Sequence, residues 1–302
     1  MEYQMKKLLK LTVSFLLLAS SSITHAGIIS IDIDRGAGLT NSQFSIFDEA
    51  ATLWANIITG TQSVLNINLS IDASGIDIDG VSGILGQASP TYATWDSTFA
   101  YATQGFMEFD IADLGSLENN NSLFDVIFHE MAHVIGFGTL WNTNSFGGFF
   151  TGTQSIYNAN SGQYTGMFAL AEYRKEFDAN ALFIPIELDG GPGTANGHWD
   201  ETWAGGSSDI MTGYLGSIAT LSRTTIASFA DIGYTTLITH PASPTQVEAP
   251  TTFTIMLLGG FLLLLRRKKL ICMPIINYIK STHNLGLSVF FIPQIHEVLP
   301  KY

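Results

Sequence analysis

The chain has 302 residues, 46% of them hydrophobic and 13% charged, which is enough apolar material for a buried core and excludes an intrinsically disordered protein. Its formal net charge is −13, and the imbalance is concentrated: 24 of the 26 acidic residues, all but Glu2 and Glu297, fall within residues 27–249, where Arg35, Arg174, Lys175 and Arg223 are the only Lys or Arg. So acidic a segment excludes nucleic-acid binding and docking on anionic lipid, both of which need clustered cations.

In chain order, Lys6, Lys7 and Lys10 precede an apolar run from Leu11 to Leu18 and small polar residues ending in Thr24-His25-Ala26. This gradation predicts a secretory signal peptide over residues 1–26, with Gly27 as the new N-terminus; a buried N-terminal helix would not break so soon into Ser-rich sequence. Gln43 to Ile58 places Phe44, Phe47, Ala50, Ala51, Leu53, Trp54 and Ile57 near helical spacing and stops before Gly60, predicting an amphipathic helix against a sheet. Val64 to Ile71 alternates as a strand. Gly105 to Phe109 predicts another, either an ordinary sheet strand or an edge strand that pairs with an extended substrate.

Ser122 with Asp125 three residues on forms a capping-box signature. The helix it opens, Leu123 to Ile135, is apolar throughout except for Asp125, His129, Glu130 and His133, and Gly136 ends it, so it belongs in the middle of the molecule. Residues 138–196, rich in Gly, Asn, Thr and aromatics, read as a long insertion with one helix over 166–177. A last helix is expected around Ser222 to Asp231, with a stop at Gly233.

After a polar linker at 241–250, Thr251 to Leu265 is apolar and is followed by Arg266, Arg267, Lys268 and Lys269. At about 1.5 Å per residue such a helix reaches roughly 22 Å, short of a hydrocarbon core of about 30 Å, so spanning needs flanking residues or local thinning. The basic cluster favours a cytoplasmic C-terminal side, leaving 27–250 outside. Residues 270–302 have no assigned role. The single cysteine, Cys272, lies in that tail, so 27–249 has no disulfide and relies on its core and on bound metal.

The chemistry is concentrated in His129-Glu130-Met131-Ala132-His133. Imidazoles four residues apart leave one helix face together and can bind one ion; a chance H-E-x-x-H in a chain of this composition is expected on the order of 0.006 times. A hydrolytic zinc takes three protein ligands and keeps a fourth position for water, whose pKa falls to about 7, and Glu130 can accept that water's proton. Within 27–249 the third histidine is His198 or His240 by elimination. His198 precedes Met211 by thirteen residues, the order of a methionine turn after a third ligand, whereas His240 sits beside Pro241 as an ordinary loop histidine would. Asp72, Asp77 and Asp79 offer oxygen ligands of the kind calcium takes, but match no calcium-loop template, and a solvated acidic hairpin accounts for them.

His129 to Gly136, the distant His198, Met211 and the surrounding run Gly190 to Trp199 resemble the leishmanolysin family, in particular its bacterial secreted members, over roughly residues 43–235. The resemblance implies an α+β metzincin-type zincin: a twisted mixed sheet and an active-site helix above a cleft, a smaller C-terminal subdomain below, and one zinc ion between. It implies His129, His133 and His198 as ligands, Glu130 as catalytic base and Met211 as the floor beneath the metal. Tyr214, three residues after Met211, then either stabilises the oxyanion, as a tyrosine after the turn does in some metzincins, or packs. Separately, Val247-Glu248-Ala249-Pro250 with the apolar and basic run to residue 269 resembles a PEP-CTERM sorting tail of Gram-negative bacteria, which implies processing by a membrane enzyme and a cell-surface or extracellular location.

The expected organisation is a signal peptide (1–26), a peptidase domain (27–240), a linker (241–250), a short membrane or sorting segment (251–269) and a tail (270–302). The expected activity is zinc-dependent endoproteolysis of protein or peptide substrates. The alternatives are a zinc amidase acting on cell-wall material and a non-catalytic surface or matrix-binding protein on the same scaffold; the latter would need the histidines but not Glu130.

Overall fold

The structure, a computed structural model, describes residues 27–96, 98–141, 156–214, 216 and 219–238, together with the backbone of 289–291 and 297–300. The signal peptide, the linker, the membrane or sorting segment and His240 lie outside the described residues. Among those described, no helix is long and apolar enough to cross a membrane.

A mixed sheet forms the upper layer. Strand β1 (Ile29–Arg35) pairs parallel with β3 (Ile67–Ile76), β3 parallel with β5 (Ala100–Asp110), and β5 antiparallel with β4 (Ile84–Trp95). Two short strands, β9 (Val289–Phe291) and β10 (Glu297–Pro300), pair antiparallel with the other side of β4. The alternation expected at 64–71 keeps its phase, with Ile67, Leu69, Ile71 and Ala73 in the core and Val64 exposed, but the strand starts and ends later, at Ile67 and Ile76. β1 keeps Ser30, Asp32 and Asp34 outward, a charged edge that discourages pairing with other chains. Because β5 has β3 on one side and β4 on the other, Gly105 to Phe109 is an interior strand, and its pairing with a substrate is ruled out by the sheet order.

Helix α1 (Asn41–Ile57) covers the sheet. Thr40 accepts from Gln43 N–H at 3.2 Å and the Gln43 side chain returns to Thr40 N–H at 2.8 Å, a complete capping box that satisfies two otherwise orphaned donors. Phe44, Phe47, Ala50, Ala51, Trp54 and Ile57 form the buried stripe as expected, but Leu53 is 39% exposed and stands outside it. Trp54 stacks on Phe128 with ring centroids 4.3 Å apart and donates its indole N–H to the Phe128 carbonyl at 2.9 Å. The chain continues into β2 (Ile58–Thr61), which pairs with β8 (Tyr234–Thr236).

Asp110, buried at the end of β5, N-caps α2 (Ile111–Asn119) through Ala112 N–H and also accepts from Asp79 and Gly80 N–H at 2.9 and 2.8 Å. The central helix α3 (Leu123–Ile135) follows after a reversal at Asn121 (φ +58°). Ser122 makes no side-chain cap. Its backbone is already helical and its N–H is taken by Leu117 O of α2, so the capping-box reading of Ser122 and Asp125 is wrong. The stop at Gly136, with φ +140°, is as expected.

Residues 156–238 make the lower layer. Helix α4 (Met167–Glu176) and helix α5 (Arg223–Asp231) cap each other: Glu176 accepts from Arg223 and Thr224 N–H at 3.0 and 2.7 Å, and Asp231 accepts from Phe168 and Ala169 N–H at 2.7 and 3.0 Å. Short strands β6 (Gln163–Tyr164) and β7 (Ile184–Pro185) pair beside them. Trp141, Trp199 and Trp203 stack in sequence with centroids 5.3 and 5.4 Å apart, and Tyr173 extends the stack at 5.5 Å. The stretch expected as an insertion thus contributes to the core of the lower layer through Ile156, Tyr157, Tyr164, Leu170, Tyr173 and Ile184, while many of its other residues are exposed.

Gly105 lies in tight contact with the central helix. A Cβ there would stand 2.3 Å from Val134 Cγ1 and 2.9 Å from the Ser89 carbonyl oxygen. Gly105→Ala is expected to lower the stability of the fold by about 1–3 kcal/mol through overpacking, and Val134→Ala to relieve part of that, so that the double variant unfolds later than the sum of the singles predicts. Thermal or urea unfolding of the three variants checks this; strict additivity would show that Val134 is not what the new methyl meets.

Candidate active site

Helix α3 is buried from Val126 to Ile135, so His129, Glu130 and His133 are held wherever the helix puts them. His129 and His133, one turn apart, present their Nε2 atoms 2.8 Å from each other. His198 is fully buried in the lower layer, sixty-five residues beyond His133, and its Nε2 lies 3.0 Å from both. These three are the one group of three or more potential metal ligands among the described residues. Asp72, Asp77 and Asp79 form no such group, and Asp79 spends its carboxylate on Ile84 N–H.

Each ring's other nitrogen faces a backbone carbonyl: His129 Nδ1 lies 2.5 Å from Ile210 O, His133 Nδ1 3.0 Å from Phe137 O, and His198 Nδ1 2.8 Å from Thr194 O. A carbonyl only accepts, so each Nδ1 carries the ring proton, and in a neutral imidazole Nε2 is then a bare lone pair. Burial, and next the neighbouring histidines, push the His129 pKa well below its ordinary value, which keeps that ring neutral. Three lone pairs facing one another within 3.0 Å repel unless a cation lies between them. Tetrahedral zinc with nitrogens at about 2.0–2.1 Å needs N···N separations of about 3.3–3.4 Å, so the triangle has only to open by a few tenths of an ångström. The donor set fits zinc, with each ligand oriented by a second hydrogen bond.

Glu130, next to the first histidine, is fully buried beneath β4, where Gly86 makes the approach possible: a Cβ there would be 3.2 Å from Glu130 Cγ. The methionine turn lies below. Met211 is fully buried, its carbonyl receives Trp199 N–H at 3.0 Å, and the preceding residue Ile210 supplies the carbonyl that holds His129. Tyr214 is half-buried and lines a small cavity beside His129 with Val126, Ile210 and Thr212.

Sequence reasoning overlooked the groups that hold His198. Its backbone carbonyl accepts from Glu187 N–H at 3.0 Å. Glu201 accepts from Gly213 N–H at 3.0 Å, and its carboxyl is pushed up to about 8, first by burial and then by the hydrogen bond and charge of Glu187 beside it. These two glutamates are fourteen positions apart in the chain, and only folding brings them together.

Residues 95–239 match the family model described as leishmanolysin, a span that takes in all three histidines, Glu130, the methionine turn and the lower layer. No curated protein matches the chain. Residues 95–239 are thus a leishmanolysin-family metallopeptidase domain, and with its histidine triad intact the enzyme is a zinc metalloendopeptidase.

Proposed function

We propose that the chain is exported and cleaves protein or peptide substrates with His129, His133 and His198 as the zinc ligands and Glu130 as the general base. The observation that carries this reading is the convergence of three histidine Nε2 atoms within 3.0 Å of one another, on a helix that also holds the buried carboxylate of Glu130 and on the His198 loop that meets it. When bound, zinc supplies Lewis acidity and one open coordination position. Glu130 takes the proton of the attacking water and later hands it to the leaving amine; its burial under Gly86 keeps bulk water from competing for that proton. Ile210, Phe137 and Thr194 carbonyls fix the ring orientations, and Met211 closes the floor. On this reading Tyr214, which lines the cavity beside His129, meets the developing oxyanion.

Export rests on the pattern of residues 1–26, and anchoring or sorting in a Gram-negative envelope on that of 247–269. Strands β9 and β10 lie against the peptidase domain, so an anchored form with residues 270–302 across the membrane would have to give up their pairing with β4.

Glu130→Gln is expected to keep a full complement of zinc while casein hydrolysis by the purified protein falls by at least a factor of about 10²–10⁴, the range general bases supply. Metal content by atomic absorption alongside the casein assay tests this, and retained hydrolysis would overturn the role. His198→Ala is expected to lose zinc to a chelator that leaves the native protein loaded; a variant that keeps both its metal and its activity would return the third-ligand position to His240. Hydrolysis of cell-wall material with casein left intact would favour the amidase alternative.

A further inference from the structure

Asp209 is a buried carboxylate that makes no ion pair among the described residues. Its Oδ1 accepts from Met211 N–H at 2.9 Å and from the Thr225 hydroxyl at 2.8 Å, and its Oδ2 accepts from Ser222 N–H at 3.1 Å. Thr225 Oγ1 in turn accepts the indole N–H of Trp199 at 2.8 Å. One side chain therefore touches the methionine turn, the N-cap residue of α5 and, through one hydroxyl, the residue after His198.

Both ends of this network stop one bond short of a zinc-binding ring. Ile210, between Asp209 and Met211, presents its carbonyl to His129 Nδ1. Trp199 donates its backbone N–H to Met211 O, and its indole is wedged between Trp141 and Trp203. A carboxylate taken out of water is costly to bury, and here its acceptors are spent on groups that set the direction of two ligands supplied from different layers. An apolar residue at 209 would leave Met211 N–H, Ser222 N–H and the Thr225 hydroxyl to find other acceptors.

We propose that Asp209 is a positioning residue of the metal centre: it locks the methionine turn so that Ile210 O aims His129, and through Thr225 it holds the Trp199 indole so that His198 enters the same site. The inference rests on the zinc reading given above. It reaches further, because it assigns a role in metal affinity to two residues, Asp209 and Thr225, that are not themselves ligands.

The test uses zinc alone, in competition with a chromogenic chelator, on the full chain and on Asp209→Asn, Thr225→Val and Thr225→Ser, together with thermal unfolding of each metal-free protein. Thr225→Val removes the hydroxyl at nearly constant volume, and Thr225→Ser returns it. Zinc affinity is expected to fall roughly tenfold or more in Asp209→Asn and Thr225→Val and to stay within about twofold in Thr225→Ser, in line with what partners behind metal ligands contribute. A merely structural role would lower the unfolding temperature and leave zinc affinity where it was, and that result overturns the proposal. Should Asp209→Asn fail to fold, the two Thr225 variants decide the matter. A native protein that binds no zinc takes down the zinc reading and this inference together, whereas native binding with unchanged affinity in Thr225→Val removes the positioning role alone.

Discussion

Three imidazole rings have their Nδ1 protons committed to the carbonyls of Ile210, Phe137 and Thr194, and the lone pairs on the opposite nitrogens are forced toward one point. The constraint is severe because the carbonyls belong to different elements. Phe137 lies just past the end of α3, Thr194 in the loop that leads to His198, and Ile210 in the methionine turn. Zinc chemistry at this place requires the upper and lower layers to be held in register to a few tenths of an ångström, and much of the packing between them serves that end. Phe137 stacks edge-on against both Trp141 and Trp199 at 4.6 and 5.0 Å, so the residue that orients His133 is itself part of the core that carries His198.

How much of this was legible follows from sequence distance. His129, Glu130 and His133 sit on one turn of a helix whose apolar run and terminal glycine are local signals, so both the element and its chemistry could be read directly. His198 was legible because few histidines were available and because Met211 follows it. Strand β4 was not: Ile84 to Trp95 contains Gly86, Ser89 and Pro90 and is buried at most positions, so it shows no alternation, and the reason for Gly86 emerges only when Glu130 lies beneath it. Residues 138–196 read as an insertion because their aromatic residues have no period along the chain; Trp141, Tyr164 and Tyr173 join Trp199 and Trp203 beyond that stretch only in three dimensions. At Ser122 the local signal misled, because the preceding helix had already claimed its N–H.

The acidic composition acquires a structural meaning once the hydrogen bonds are followed. With so few cations in residues 27–249, buried and partly buried carboxylates turn to backbone N–H groups instead. Asp110 caps α2 and ties down the 79–80 loop, Glu176 and Asp231 cap α5 and α4 reciprocally, and Asp209 closes the methionine turn. Among the described residues the buried Glu172 differs, drawing on Lys175 and Arg223 together. At Asp231 burial outweighs the hydrogen bonds from Phe168, Ala169 and Tyr164 and pushes the carboxyl up to about 7, so the acceptor is held there at the expense of its own ionisation.

A ligand sixty-five residues from its partner poses an entropic problem that a disulfide would ordinarily ease, and no cysteine lies between residues 27 and 249. Closing a flexible loop of that length costs about 4 kcal/mol by the logarithmic law, with a further constant for initiating it. In this fold the closure is achieved by the lower layer as a whole. The tryptophan stack, the reciprocal helix caps and the backbone bonds from Glu187 to His198 and from Trp199 to Met211 fix the loop through the core. Those contacts are made by groups other than the three Nε2 atoms, so the core shares with zinc coordination the work of gathering His129, His133 and His198 from distant parts of the chain.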